Sequence, residues 1–412
     1  MGNNVKYIRS NNTIVILLLL FLERMCYYGI RSILILYMIG EALQLSNFEA
    51  ITIYGYLSSF LILTQIIGGI FGDFVLSNKK AILLGGLIVI LGCVNAILPI
   101  EYLTYLGFAL IILGTGLLKV NTLAAFGKNF YNCKKYLNSA FSFYYLVLNI
   151  GAFCGGLLFA VVSEKFGFVL GFGMAAIIYV AISLLSLAIS EGKEKLEYDI
   201  QKVSSNSVLY VTVAIFLSAI FWAIYELGGT HSTVILSNED FTGQFGENIS
   251  LTFMNQLNFY FIVPLLIIGG ILWLKFHRSQ FLKIAFGFLF MALALFQLTN
   301  ISLVDVKDSL FYLISTIFFL ALAEIFIGPM VLSIVVRYTN PKFLTMAMAT
   351  YGAISFSFVY MLSPLSDFVY DKSELFTFLG MILASAITIL LFLAVFLRRY
   401  YLRNNQNQSS TT

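Results

Sequence analysis

The amino-acid sequence predicts an all-α protein that crosses a membrane with twelve helices. Of its 412 residues 60% are hydrophobic and only 11% are charged, and the mean hydropathy is +0.93. Soluble domains carry about 25% charged residues. Apolar runs of about 20 residues, long enough to span a bilayer as helices, recur along the whole chain. Helices are expected because a chain in lipid must satisfy its own backbone hydrogen bonds, and the runs do not alternate like barrel strands.

Charged stretches and segments with Asn, Pro or Gly separate the apolar runs and set the helix boundaries. The first run resembles a signal peptide at its start, but Glu23 and Arg24 follow directly with no small-residue cleavage site. It is therefore interpreted as a retained span. The predicted spans, in order, are 13–40, 48–73, 80–98, 103–130, 138–163, 167–190, 206–230, 250–274, 281–300, 309–337, 342–370 and 374–400.

The distribution of Lys and Arg predicts the orientation of the chain in the membrane. With a cytoplasmic N-terminus, eighteen of the 24 Lys and Arg residues, Lys283 among them, fall in inside loops, three in outside loops and three within helices. This bias supports an even number of helices, with the N- and C-termini both cytoplasmic. The net charge of +4 reflects this topology and does not favour nucleic acid as a partner.

One charged segment divides the spans into two groups of six. It reads EGKEKLEYDIQK at 191–202, on the predicted cytoplasmic side. We predict an N-terminal six-helix bundle at 1–190, a cytoplasmic linker at 191–205 and a C-terminal six-helix bundle at 206–412. Two such bundles around a central cavity are a common plan of secondary transporters.

Six charged residues remain inside the predicted spans. Each costs at least about 2.5–3.5 kcal/mol at bilayer depth, so such residues usually face a polar interior and mark a functional pathway. A structural ion pair is the alternative for any one of them. The six are Glu23, Arg24, Arg31, Lys119, Glu226 and Glu324.

Helix one carries a polar stripe. Arg24, Tyr27 and Tyr28 occupy positions i, i+3 and i+4 of one helix face, and Arg31 continues it at i+7. Glu23 falls beside this face. The stripe is predicted to line a cavity rather than to face lipid.

Seven segments, in order along the chain, carry a family resemblance. LERMCYYGIR in helix one resembles the motif ExxERFxYYG, and LKVN in helix four resembles LKPN. FYYLVLNIG resembles FYxxINxG of helix five, and FWAIYELGG resembles the FWxxxEQ start of a second half. GGIFGDFVLSNKK, QLNF and AEIFIGPMVLS resemble the helix 2–3 loop and segments of helices eight and ten. These motifs are those of the proton-dependent oligopeptide transporter family of the major facilitator superfamily, which the chain therefore resembles. The resemblance implies the major facilitator fold.

The resemblance also implies roles for the residues that match motif positions. The implied peptide-binding residues are Arg24, Tyr27, Tyr28, Lys119, Tyr145, Asn149, Asn258 and Glu324. Among these, Lys119 is near the substrate carboxyl end and Glu324 receives the amino group. The implied proton-coupling or gating residues are Glu23, Arg31, Glu226 and Asp73, with an Arg31–Glu226 salt bridge on the extracellular side and Asp73 pairing with a cytoplasmic basic residue.

The chain departs from the family pattern at four positions. Leu20 replaces the first Glu of the helix-one motif, which belongs to the proton-coupling machinery of the family, so coupling must use another carboxylate or be absent. Val120 replaces the Pro of LKPN, and Phe74 replaces the Arg after Asp73. The helix-eleven Trp that lines the family's peptide pocket is missing, with Ala349 nearest in alignment.

The predicted function is import of di- and tripeptides, or peptide-like zwitterions, coupled to protons by alternating access. A proton-uncoupled facilitator, or a carrier of a different small solute, is the alternative that Leu20 keeps open. A sensor would call for a large soluble appendage, but only short tails flank the helices. An enzyme is not expected, because no Ser/His dyad, HExxH or paired-aspartate signature lies within the spans and His231 and His277 fall at predicted loops.

The remaining expectations concern partners and location. We expect no cofactor, with protons as the coupling ion, and no nucleic-acid partner. The expected partners are a small-molecule substrate, chiefly short peptides, and the lipid bilayer. The protein is expected to be a multi-pass monomer of a cell membrane, the bacterial cytoplasmic membrane in particular.

Overall fold

The computed structural model describes residues 10–190, 205–236, 251–276, 279–301, 306–360 and 371–409. The described residues form twelve long helices, and each predicted span coincides with one of them. In order the helices are α1 (Ser10–Tyr37), α2 (Asn47–Ile70), α3 (Asn78–Ala96), α4 (Glu101–Asn129), α5 (Leu137–Phe166), α6 (Phe168–Leu187), α7 (Ser205–Leu236), α8 (Leu251–Lys275), α9 (Gln280–Thr299), α10 (Val306–Tyr338), α11 (Leu344–Tyr360) and α12 (Ser373–Ser409).

Eleven of these helices are long and apolar enough to cross a membrane within the described residues. The exception is α11, because its described part has 17 residues. The predicted all-α fold class is therefore confirmed, while the orientation of the termini stays a prediction. Large apolar side chains remain exposed along the helices, such as Leu390 at 65% and Phe396 at 66% on α12, as a lipid-facing surface requires.

Local sequence signals account for several helix ends. Ser46 precedes α2 and forms a capping box with Glu49: the Ser46 hydroxyl accepts from the Glu49 backbone N–H, and the Glu49 carboxylate accepts from the Ser46 N–H. Gly167 separates α5 from α6 with φ of 87°, a backbone conformation that glycine adopts without a Cβ clash. Asn340 accepts from the Lys342 N–H ahead of α11.

The chain divides into two compact units, and the first is Met1–Val213 together with Val335–Ser357. The second unit is Ala214–Ile334 together with Phe358–Thr412. The end of α10 and most of α11 therefore belong to unit 1. The predicted linker lies outside the described residues apart from its last residue, and the predicted bundle boundaries stay a prediction.

Glycines bring the helices of unit 1 close together. A Cβ on Gly151 would lie 2.8 Å from the Phe21 carbonyl oxygen, and Gly155 meets the backbone of Met25, so α5 packs tightly on α1. Gly68 packs likewise against α4, where the nearest atom is the Gly116 carbonyl oxygen. The close approach of α5 encloses the charged middle of α1, where Glu23 and Arg24 lie.

Candidate functional site

The two charges at the start of the helix-one stripe neutralise each other. Glu23 and Arg24 are 1% and 3% exposed, and both carboxylate oxygens of Glu23 accept from Arg24, one from Nε and one from Nη2. The guanidinium carbon of Arg24 lies 5.1 Å from the ring centre of Tyr27. A bidentate pair of this kind is strongly oriented, so Glu23 has no oxygen left without a partner.

The other half of the stripe lines a cavity inside unit 1, as the sequence predicts. Tyr27 and Arg31 lie on its wall with Tyr54 and Ser58 of α2 and with Thr115 of α4. The Nε of Arg31 donates to the hydroxyl oxygen of Tyr54. Its predicted partner Glu226 lies in unit 2, where the residue is exposed on α7, and the Arg31–Glu226 pair stays a prediction.

Lys119 on α4 has an aromatic partner. Its Nζ lies 4.7 Å from the ring centre of Phe356 on α11. Among the described residues of unit 1, no Asp or Glu oxygen lies within ion-pair distance of this ammonium. Lys119 is within electrostatic range of Arg24, Glu23 and Arg31. Three cations and one carboxylate leave this part of unit 1 positively charged, which favours a carboxylate or another anion.

Three further predicted residues of unit 1, Tyr28 on α1 and Tyr145 and Asn149 on α5, contact neighbouring aromatic and backbone groups. Tyr28 packs edge-on against Tyr27 with ring centres 5.2 Å apart. The Tyr145 hydroxyl lies 3.5 Å from the hydroxyl of Tyr351 on α11, and the Asn149 carboxamide donates to the Tyr145 carbonyl oxygen at 2.9 Å. Aromatic and amide groups of this kind supply adaptable contacts to a polar ligand.

Sequence reasoning missed three aromatic residues of unit 1. Tyr144 is 4% exposed and within electrostatic range of Arg24 and Glu23. Tyr351 and Phe356 reach Tyr145 and Lys119 from α11. Tyr144 stands in the FYYLVLNIG segment next to Tyr145, so the motif itself contained the signal for it.

Position 349 is buried where α11 crosses α2 within unit 1. Ala349 is fully buried, and a Cβ on Gly69 of α2 would lie 2.9 Å from the Ala349 Cβ. The residue that aligns with the helix-eleven Trp of the family, Ala349, therefore lies at a close crossing of two helices. A large ring at this position would force α2 and α11 apart.

Among the described residues of unit 2, an acid and the oxygen of an amide have no hydrogen-bond partner. Glu324 on α10 is 8% exposed, and among the described residues of unit 2 no donor hydrogen-bonds to its carboxylate. The Oδ1 atom of Asn258 on α8 is buried and has no hydrogen-bond partner in the described part of the chain. Tyr225 on α7 lies within electrostatic range of Glu324 and Glu226. Buried groups of this kind need a partner, so they are candidates for contact with a ligand.

Asp73 joins α11 to the first helices of unit 1. Its Oδ2 accepts from the backbone N–H of Met346 at 2.8 Å, and its Oδ1 lies 3.6 Å from the Nζ of Lys128. The basic partner is therefore Lys128 of α4. The gating role of Asp73 stays a prediction.

A chain of side-chain amides continues this contact. Asn78 Nδ2 donates to Asn121 Oδ1 at 2.8 Å and to Thr345 Oγ1 at 2.9 Å, while Asn78 Oδ1 accepts from Lys128 at 2.7 Å. Asn121 also donates to the Gly68 carbonyl oxygen at 2.9 Å. Asn78 and Asn121 stand in the quoted loop and LKVN segments, whereas nothing in the sequence identifies Thr345 as their partner.

Two residues that the sequence places in loops are buried in unit 2, and both predictions are wrong. His231 lies within α7, because this helix continues to Leu236, and its Nδ1 is 3.0 Å from the Thr377 hydroxyl. Lys283 lies in the first turn of α9 with its Nζ 3.9 Å from the ring centre of Trp273. His277 lies outside the described residues.

The fold is that of a polytopic helical membrane protein, and comparison with known proteins identifies its family. The model of the Major Facilitator Superfamily matches residues 16–364. The chain therefore belongs to the Major Facilitator Superfamily.

Two curated relatives illustrate the sequence similarity. Over 162 residues the chain is 32% identical to an uncharacterized transporter, YclF, of Bacillus subtilis (strain 168), covering 38% of this chain and 33% of the relative. It is also 32% identical over 162 residues to dipeptide and tripeptide permease A of Chromobacterium violaceum, covering 38% of this chain and 32% of that protein. Each match thus spans about a third of the relative's length.

Solved structures share the fold over nearly the whole chain. A POT family transporter in complex with 5-aminolevulinic acid has a TM-score of 0.65 at 18% identity, with 93% of this chain and 96% of that chain covered. A bacterial homologue of the human drug peptide transporters PepT1 and PepT2 has a TM-score of 0.62 at 19% identity, with 95% and 99% covered. The resemblance to the oligopeptide transporter family that the motifs indicate is confirmed.

Proposed function

We propose that this protein imports di- and tripeptides, or peptide-like zwitterions, by alternating access coupled to protons. The observation that carries the proposal is the separation of charge between the two units. Around Lys119 in unit 1, Arg24 and Arg31 are the nearby cations and Glu23 is the nearby acid, while unit 2 holds the buried Glu324 without a hydrogen-bond partner among its described residues. A zwitterion presents one carboxylate and one ammonium, and each unit favours one of them.

Each residue has a role in this proposal. Lys119 and Arg24 attract the substrate carboxylate, Glu324 receives the amino group, and Asn258 Oδ1 accepts a hydrogen bond from a substrate N–H. The aromatic side chains Tyr27 and Tyr145 contact the variable part of the substrate. Recognition of the termini and the peptide group would leave many side chains acceptable, as a carrier of short peptides requires.

A second function, transport without proton coupling or transport of another small solute, is favoured by one observation. Leu20 is 1% exposed and carries no charge, and the neighbouring acid Glu23 has both oxygens bound to Arg24. Helix one therefore offers no unengaged carboxylate in the described structure. In the proton-coupled case the carboxylates left to exchange a proton are Glu226 and Glu324, because no described residue of unit 2 forms an ion pair with either of them.

Further parts of the proposal follow from the family. We propose a multi-pass protein of the bacterial cytoplasmic membrane that acts as a monomer, carries out no enzymatic reaction, needs no cofactor besides the coupling proton and binds no nucleic acid. The structure of tetrameric PepTSo2 is among the similar folds, so the proposed monomeric state is tested by measuring the molecular mass of the protein in detergent and in membranes.

The test of the proposed function is uptake of labelled dialanine into proteoliposomes with and without an inward proton gradient. Accumulation that requires the gradient and stops with a protonophore supports symport. Equilibration without accumulation supports a peptide facilitator. Absence of uptake by folded protein in both conditions would contradict peptide transport and direct a wider screen of small solutes.

A further inference from the structure

Lys119 has no acidic partner among the described residues of unit 1. The position at which the helix-one motif has its first Glu is the buried Leu20, and the second Glu of the motif is bound to Arg24 on both oxygens. The Lys119 ammonium does contact an aromatic ring: its Nζ lies 4.7 Å from the ring centre of Phe356. The electron-rich face of an aromatic ring attracts a cation, and the attraction grows as water is removed.

The position of Phe356 suits a side chain that contacts Lys119 better than one that only fills space between helices. It stands on α11 with 40% of its surface exposed, so it is not a fully buried core residue. Tyr351 of the same helix lies 3.5 Å from Tyr145 on α5, hydroxyl to hydroxyl, and Asp73 accepts from Met346 at the start of α11. These contacts hold α11 against α5 and against the segment that follows α2, and so they place the Phe356 ring beside Lys119.

We propose that Phe356 is a positioning residue that holds the Lys119 ammonium ready for the substrate carboxylate. A lysine side chain has a flexible four-carbon stem, and ordering it at the moment of binding costs conformational entropy. The ring orders the ammonium in advance, and its face occupies one side of the charge while the other side stays available to a carboxylate. This inference rests on the proposed function, since it concerns a substrate with a free carboxyl end.

The prediction concerns the substitution Phe356→Leu, which keeps an apolar side chain but removes the ring. We expect binding of dialanine to weaken about fivefold, the equivalent of one moderately exposed cation–π contact. Binding of dialanine amide, which lacks the carboxylate, should not change. Phe356→Trp, which keeps an aromatic face, should retain the affinity for dialanine. The measurement is calorimetric titration of the purified full-length protein in detergent.

The matched control is Phe60→Leu, because Phe60 is 38% exposed on α2 and makes no cation–π contact among the described residues. This variant should bind both ligands as the wild type does. Thermal melting of each variant establishes that it is folded, and Phe356→Tyr provides a second aromatic variant if Phe356→Trp does not fold.

Three outcomes would overturn the inference. Phe356→Leu could bind dialanine as tightly as the wild type, or it could lose the same factor for dialanine and its amide, which would make the ring a wall of the pocket. Phe356→Trp and Phe356→Tyr could both lose as much affinity as Phe356→Leu. Failure of the wild type to bind dialanine would instead contradict the proposed function itself, and it is seen before any variant is measured.

Discussion

Two glutamates of this chain have opposite surroundings, although both are charged residues within predicted spans. Glu23 is bound on both oxygens by Arg24, whereas Glu324 is buried with no hydrogen bond from the described part of unit 2. A buried carboxylate without a partner is costly, and a substrate ammonium would remove that cost. Of the two acids, Glu324 is therefore the one available to a ligand.

Glu324→Gln should weaken binding of dialanine at least tenfold. The substitution keeps the size of the side chain but removes the charge, and hydrogen bonds to charged groups contribute about 1.5–3 kcal/mol. Calorimetric titration measures the effect. Glu374→Gln is the control, because Glu374 is exposed on α12 and has no assigned role. Wild-type affinity in Glu324→Gln would show that this acid does not receive the amino group.

His231 belongs to the folded interior of unit 2, in contrast to the sequence-based prediction of a solvated residue. His231→Ala removes the ring and leaves the buried Thr377 hydroxyl without its partner, which should lower the free energy of unfolding by about 1–3 kcal/mol. His231→Gln, which can still hydrogen-bond to Thr377, should lose less. The two variants are compared by thermal melting in detergent. Equal melting temperatures for His231→Ala and the wild type would refute the structural role.

At the scale of whole helices, the sequence predicts most of what the structure contains. Apolar length and charged breaks identify all twelve helices, because the bilayer fixes the length of a span. Two helices continue further than predicted, α7 by six residues to Leu236 and α12 by nine residues to Ser409. At the end of α7 the polar residues around His231 suggest a loop, but the helix continues, and the hydroxyls of Thr230 and Ser232 donate to backbone carbonyls one turn earlier in it. Contacts between helices are less predictable, since the burial of Ala349 against Gly69 depends on a crossing that no single sequence records.

The same limit applies to the candidate site. Motif positions identify Arg24, Lys119 and Glu324, but side-chain partners depend on rotamers and on neighbouring helices. The sequence therefore does not show that Glu23 pairs with Arg24 or that Phe356 reaches Lys119. These partners decide which charges are neutralised and which remain for a ligand.

The start of α11 is held by Asp73, and this contact makes a local prediction. Asp73→Asn replaces a charged acceptor for the Met346 N–H by a neutral one. We expect hydrogen exchange across 344–350 to accelerate about tenfold, because a charged hydrogen bond contributes about 1.5–3 kcal/mol. Asp371→Asn, at an exposed position, is the control. Unchanged exchange in Asp73→Asn would mean that other contacts, such as Asn78 with Thr345, hold the helix without it.

For the whole molecule, the proposal requires that both ends of the substrate be recognised. The cations around Lys119 belong to unit 1 and the buried acid Glu324 belongs to unit 2, so neither unit alone distinguishes a zwitterion from an ion. A carrier that recognised only a carboxylate would accept N-acetyl-dialanine, and one that recognised only an ammonium would accept dialanine amide. The charges of this chain favour neither simplification.

N-acetyl-dialanine and dialanine amide should therefore each compete with labelled dialanine at least tenfold more weakly than unlabelled dialanine does. Each capped peptide leaves one charged residue without its counterpart, which costs about 1.4 kcal/mol or more, and this corresponds to a factor of ten in affinity. Competition for uptake into proteoliposomes measures the ratio, and an unrelated neutral amide controls for effects on the membrane. If one capped peptide competed as well as dialanine, the charged residue proposed to bind the capped end would not be needed for recognition of the substrate. Glu324 or Lys119 would then be reassigned to coupling or to structure according to which cap was tolerated.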